Sequence, residues 1–144
     1  MADVALDTNV LVAYLDEGDV HHSRAHALVE RLEQDGHHLV LLDVCVGEAV
    51  SVVCRRARER KVSPPDLPRF LASVRRWREQ EELTWTGGAC ERLFDAIVKT
   101  VEDTSGALNF NDALLVAVHR DGFFDHLASF DVAFDRIEGF PRLS

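Results

Sequence analysis

Apolar residues fall along this chain in two patterns, short solid blocks and longer stripes at helical spacing, and the contrast predicts most of its elements. Val4-Ala5-Leu6 and Leu39 to Leu42 are blocks too short for helices, as expected of strands covered on both faces of a sheet. His126 to Ser129 reads as another strand, and Leu83-Thr84-Trp85-Thr86 alternates before Gly87-Gly88 breaks it. Between the blocks lie stripes. A short helix is expected from Asn9 to about Leu15, and a longer one carries Ala25, Leu28, Val29 and Leu32 before Gly36 stops it. From Val44 to about Lys61 the stripe is Val46, Ala49, Val50, Val53 and Ala57. Pro64-Pro65 in a first turn opens a helix running to about Arg78. Cys90, Leu93, Phe94, Ile97 and Val101 share one face of a further helix. After a loop from Thr104 to Asn109, Ala113 to Val118 is apolar all round, so that helix is buried, ending at Gly122. Phe130 to Asp135 reads as a turn, and Arg136 to Glu138 as an edge strand. Strands alternating with helices predict an α/β fold with a mainly parallel sheet of four to five strands.

Length and composition narrow this. At 144 residues and 47% hydrophobic content the chain suits one domain spanning residues 1–144. Its N-terminus has no Lys or Arg before the first apolar block, unlike a secretory signal, and no apolar run approaches the roughly 18 residues of a membrane span. A cytoplasmic, soluble protein is expected. Cys45, Cys54 and Cys90 are an odd set without a C-x-x-C pair, which suits buried reduced thiols rather than a disulfide frame.

Net charge is −9, yet it is unevenly spread. From Arg55 to Arg78 stand nine basic residues against two acidic ones. A basic band on an acidic protein can guide a polyanion to one place, or dock an acidic partner, or simply face water; Arg55, Arg56, Arg75 and Arg76 are its candidate contacts. His22 and His26 are spaced four apart, as zinc ligands on a helix can be, but no supporting Cys or His accompanies them. Trp77 and Trp85 are expected to pack rather than to stack on bases.

The candidate chemistry lies in acids at element ends. Asp7 closes the first strand, with Thr8 and Asn9 beside it. Glu48 lies early in the helix after the second strand, Asp112 opens the buried helix, and Asp131 follows the last clear strand. Each has a local explanation as a cap or turn residue. Together they occupy the carboxyl-end side of a parallel sheet, where ligands bind in open α/β folds. Carboxylates crowded there repel one another unless a cation intervenes, and oxygen-only ligands favour Mg²⁺ or Mn²⁺ over Zn²⁺. Such ions serve phosphodiester hydrolysis. Asp16, Asp43 and Asp135 are further acids near the same edge; Asp43 competes with Glu48, and Asp135 with Asp131.

Leu6-Asp7-Thr8-Asn9, Glu48 in an apolar helix, Asn109-Phe110-Asn111-Asp112-Ala113-Leu114-Leu115 and Ala128-Ser129-Phe130-Asp131-Val132-Ala133-Phe134 resemble the successive motifs of PIN-domain ribonucleases. The resemblance is greatest to VapC-type toxins of bacterial toxin-antitoxin pairs, and it spans the chain. It implies a three-layer PIN-like sandwich and an endoribonuclease dependent on Mg²⁺ or Mn²⁺. It also implies a homodimer and a VapB-type antitoxin whose C-terminal segment covers the acidic groove. Asp7, Glu48, Asp112 and Asp131 match the metal-site positions, with Thr8 or Asn9 orienting the first carboxylate. Ser129 stands where the motif usually has Thr, so the hydroxyl is kept. Rival readings are a PIN-type RNA-processing nuclease without an antitoxin, a PIN-like binding module without catalysis, and an aspartyl-phosphate receiver, which lacks an evident late-strand lysine.

Overall fold

A computed structural model describes residues 1–144. Five strands form one all-parallel sheet in the order β3-β2-β1-β4-β5. In chain order these are β1 (Asp3–Leu6), β2 (His38–Leu42), β3 (Leu83–Thr84), β4 (His126–Ala128) and β5 (Arg142–Leu143). The central strand comes first in sequence, with the chain laid down on one side as β2 and β3 and on the other as β4 and β5. That reversal of direction at β1 leaves a crevice beyond the strands' carboxyl ends, where Asp7 and Ser129 begin.

Seven α-helices flank the sheet: α1 (Thr8–Leu15), α2 (His22–Gln34), α3 (Asp43–Glu59), α4 (Leu67–Glu79), α5 (Ala89–Arg92), α6 (Phe94–Asp103) and α7 (Phe110–Arg120). Val4, Ala5, Leu42, Leu127 and Ala128 are wholly buried, which is why β1, β2 and β4 read as unbroken apolar blocks. On α7 every residue from Ala113 to Val118 is buried, so that helix runs through the core as its sequence predicts. No helix is long and apolar enough to cross a membrane.

Several expectations are corrected at the edges. Arg136 to Glu138 is not a strand. Val132–Arg136 forms a 3-10 helix capped by the Asp131 side chain, and the edge strand lies later, at Arg142–Leu143. The pairing there is local and short, so no strong period-2 signal marks it. The strand at Leu83 stops at Thr84, because Thr86 turns its backbone N–H and its hydroxyl to the Asp43 carboxylate, at 3.1 and 2.9 Å. The helix expected around Cys90 is split at Leu93, leaving Cys90 and Phe94 exposed while Ile97 is buried. Of the three thiols only Cys45 is buried. Trp77 packs against the core, but Trp85 is 58% exposed.

Candidate metal centre

Asp7 sits where β1 gives way to α1 and is 5% exposed. Its backbone N–H donates to the Ala128 carbonyl of β4 at 2.9 Å, extending the ladder by one residue. One carboxylate oxygen accepts the Thr8 N–H at 2.8 Å, which caps α1. The other accepts the Ser129 hydroxyl at 2.6 Å and the Asn9 side-chain amide at 3.2 Å. Ser129, fully buried, also accepts from Asn9 at 3.2 Å and from the Asp131 N–H at 3.1 Å. Asn9 in turn accepts the Phe130 N–H at 3.1 Å. Asn9 and Ser129 thus fasten the Asp131 turn to Asp7 across 122 residues of sequence.

Thr8 extends the frame toward α3, its hydroxyl donating to Glu48 at 3.2 Å. Asp112 belongs to a capping box: Asn109 accepts its N–H at 2.9 Å while the Asp112 carboxylate accepts the Asn109 N–H at 3.3 Å. Asn109→Ala removes the cap and should lower stability by about 1 kcal/mol, read from denaturant unfolding; an unchanged midpoint would deny the box a role.

Asp7, Glu48, Asp112 and Asp131 line one cavity of about 370 Å³, together with Thr8, Asn9, Asp19, His21, Val52, Arg55, Arg56 and Asn109. Burial pushes the Asp7 carboxyl up to about 6; the Ser129 and Thr8 donors oppose that rise, and the charges of Asp112 and Glu48 add to it. Asp112 is likewise raised, first by burial and then by the charges of Asp131 and Glu48. Asp7 therefore feels the charges of Asp112 and Glu48, and Asp112 those of Asp131 and Glu48. No three acidic, His or Cys side chains stand close enough to hold an ion in this arrangement, since each carboxylate is turned to donors of its own. The donor set nonetheless suits a hard dication: oxygen ligands, like-charged, with elevated proton affinity at the deepest of them.

The competing acids are engaged elsewhere. Asp43 accepts from Thr86 and caps α3 through Val44. Asp135 pairs with Arg142 at 2.8 Å. Asp16, 3% exposed, accepts from Arg56 at 2.9 Å and from both terminal nitrogens of Arg60, at 2.8 and 2.6 Å. His26 stacks on Tyr14, His22 meets His26 edge-on, and the two hydrogen-bond the carbonyls of Tyr14 and Ala13 respectively. Arg75 and Arg76 lie on α4 and do not line the cavity. Two wall residues escaped the sequence reading, Asp19 and His21. Nothing in their loop marks them except an Asp three positions before a helix start, a signal shared by many turns.

Residues 4–139 match the PIN domain. The chain belongs to that family. Solved structures agree on the fold of this PIN domain. It is similar to VapC20 of Mycobacterium tuberculosis, described as a Sarcin-Ricin loop cleaving toxin, at 20% identity and TM-score 0.66, covering 95% of each chain. It is also similar to a chain of VapBC2 from Rickettsia felis bound to a promoter DNA fragment, at 13% identity and TM-score 0.63, with 98% of this chain and 97% of the other covered. For DNA-bound VapBC from Salmonella typhimurium the figures are 16% and 0.62, with 99% and 98% covered. A comparison with curated proteins gives no match.

Proposed function

We propose that this PIN domain, one unit over residues 1–144, is a metal-dependent endoribonuclease and the toxin of a VapBC-type pair. The observation that carries the proposal is that Asp7, Glu48, Asp112 and Asp131, from four separate segments, line one cavity in which Asp7 is buried and its pKa raised. Similarity in fold to a toxin described as cleaving the Sarcin-Ricin loop, and to chains of VapBC complexes, supports RNA as substrate and a VapB-type antitoxin as partner. A homodimer and a cytoplasmic setting belong to the same reading.

In this proposal Asp7, Asp112 and Asp131 hold Mg²⁺ or Mn²⁺, and Glu48 holds a second ion or the attacking water. A bound dication would neutralise phosphate charge and lower the pKa of water in the site. The chain supplies the geometry. Ser129, Asn9 and the Thr8 N–H fix the Asp7 carboxylate, while Thr8 steers Glu48. Where Glu48 holds the attacking water, it would take that water's proton as the oxygen bonds to phosphorus, and the leaving ribose oxygen would take up a proton from solvent as its bond to phosphorus breaks.

Purified protein should cut cellular RNA with Mn²⁺ and stop when the ion is chelated. Binding requires the acidic side chains to draw closer together than they stand here, so affinity is expected to be modest. An ion at ten times its Kd adds about 1.4 kcal/mol, which raises Tm by roughly 5 °C for a domain of this size. A metal-independent Tm, together with cleavage that survives chelation, would refute the metal centre.

A further inference from the structure

Four arginines, Arg55, Arg56, Arg58 and the capping Arg60, stand at the end of α3, and the structure treats them differently. Arg56 donates to Asp16 at 2.9 Å and to Asp19 at 2.6 Å, and Arg60 is held by Asp16 through both terminal nitrogens. Asp19 also accepts the His21 N–H at 2.8 Å, so Arg56 braces the loop that forms one wall of the cavity. Its guanidinium is already committed to carboxylates. Arg55 is different: it is exposed and makes no hydrogen bond or ion pair, yet it lines the same cavity as the four acids. Glu48, Val52 and Arg55 recur at positions i, i+4 and i+7 and form one stripe on α3 facing that cavity.

From this we infer that Arg55 is a phosphate-binding residue, gripping an RNA backbone phosphate beside the one that is cut. The inference rests on the nuclease reading and assigns a part of the same site. An acid-lined cavity repels a polyanion, so a strand approaching it needs a cation at the rim. Arg55 is the arginine on that rim with its full donor fork free. A planar guanidinium takes two phosphate oxygens at once, which fixes the strand's register without reading its sequence. Arg56, one residue later, serves the fold instead.

The test uses purified full-length protein. Binding of a short fluorescein-labelled single-stranded RNA of mixed sequence is followed by anisotropy in an Asp7→Asn background, and cleavage of total RNA is followed with Asp7 intact. Arg55→Ala should weaken binding roughly tenfold or more, and should make the dependence of log Kd on log salt shallower by roughly 0.7, the loss of one phosphate contact on a single strand. Cleavage at limiting RNA should fall in proportion, and recover towards the parent rate at saturating RNA. Arg55→Lys, which keeps the charge but not the fork, should fall between. Lys99→Ala, the same charge loss on α6 outside the cavity lining, where Lys99 pairs with Asp103, should leave binding and cleavage at parent levels. The metal-induced rise in Tm should survive Arg55→Ala, showing that the acids are undisturbed. Parent-like binding and salt dependence in Arg55→Ala, or an effect no larger than that of Lys99→Ala, would overturn the assignment while leaving the nuclease reading intact. Failure of the parent to bind or cut any RNA would overturn both.

Discussion

Asp7→Asn is expected to reduce RNA cleavage by at least about 10³-fold, equivalent to roughly 4 kcal/mol of lost transition-state stabilisation, while the protein stays folded. Asparagine has the shape of aspartate and can still accept the Thr8 N–H, so the cap of α1 survives. The anionic oxygen facing Ser129 and Asn9 does not, and with it goes the deepest ligand of the proposed centre. The metal-induced Tm rise should vanish in the same variant. Stability in chelator offers a separate signature. Asp7 binds its proton more tightly folded than unfolded, so its stabilising effect is full below about 3.8 and is lost as pH rises through about 6. Asp7→Asn should lack that part of the pH dependence. Purified variant that cuts RNA at the parent rate would remove Asp7 from the chemistry.

A loss of about 2 kcal/mol in stability is expected for Asp16→Asn. The Asp16 carboxylate is almost wholly enclosed, and two guanidinium groups converge on it from α3. Removing an enclosed partner of such a cluster typically costs about 3 to 5 kcal/mol. Here the side chains of Arg56 and Arg60 are 32% and 26% exposed, so both can turn to water and the loss is smaller. Although burial raises its pKa, hydrogen bonds from Arg60 and Arg56 outweigh that and hold Asp16 below its ordinary value. A depressed pKa contributes stability above the unfolded value near 3.8, and that contribution fades as pH falls through the folded one. The gap between parent and variant should therefore be full at neutral pH and close in acid below about pH 4. Equal midpoints in urea at pH 7 would show that the cluster adds nothing. Gly18 belongs to the same arrangement: a Cβ there would lie 2.7 Å from an Arg60 nitrogen, so Gly18→Ala should force that arginine to shift.

Much of this was legible from the chain itself. Buried strands carry a strong signal because both faces are covered, so β1, β2 and β4 show as unbroken apolar blocks. The all-apolar run on α7 likewise could hardly be anything but a central helix. Edge elements carry no such signal. Arg142–Leu143 and Leu83–Thr84 are two-residue strands whose identity comes from a neighbour's register, which is a property of the assembled sheet. The four acids could be picked from their places at element ends, and the structure brings them to one cavity. Between Asp43 and Glu48, and between Asp135 and Asp131, position along the chain leaves the choice open and the motif resemblance takes Glu48 and Asp131; the bonds of Asp43 to Thr86 and of Asp135 to Arg142 are visible only in the structure. The basic band was visible as a charge run, but not its division. Arg56 looks like Arg55 in sequence, and only the loop bearing Asp16 and Asp19 separates a brace from a free cation. The Asn109-x-x-Asp112 spacing suits a capping box, and Asn109, the last residue of the expected loop, caps α7.

The reversal of strand order at β1 bears on when activity can arise during synthesis. Residues 4–9 leave the ribosome early, whereas the hydroxyl and turn that complete their pocket arrive with residues 126–131. A nascent chain stalled before Gly122 would carry Asp7, Glu48 and Asp112 without the strand and turn that hold the first of them in place, so the cavity is completed only late in synthesis.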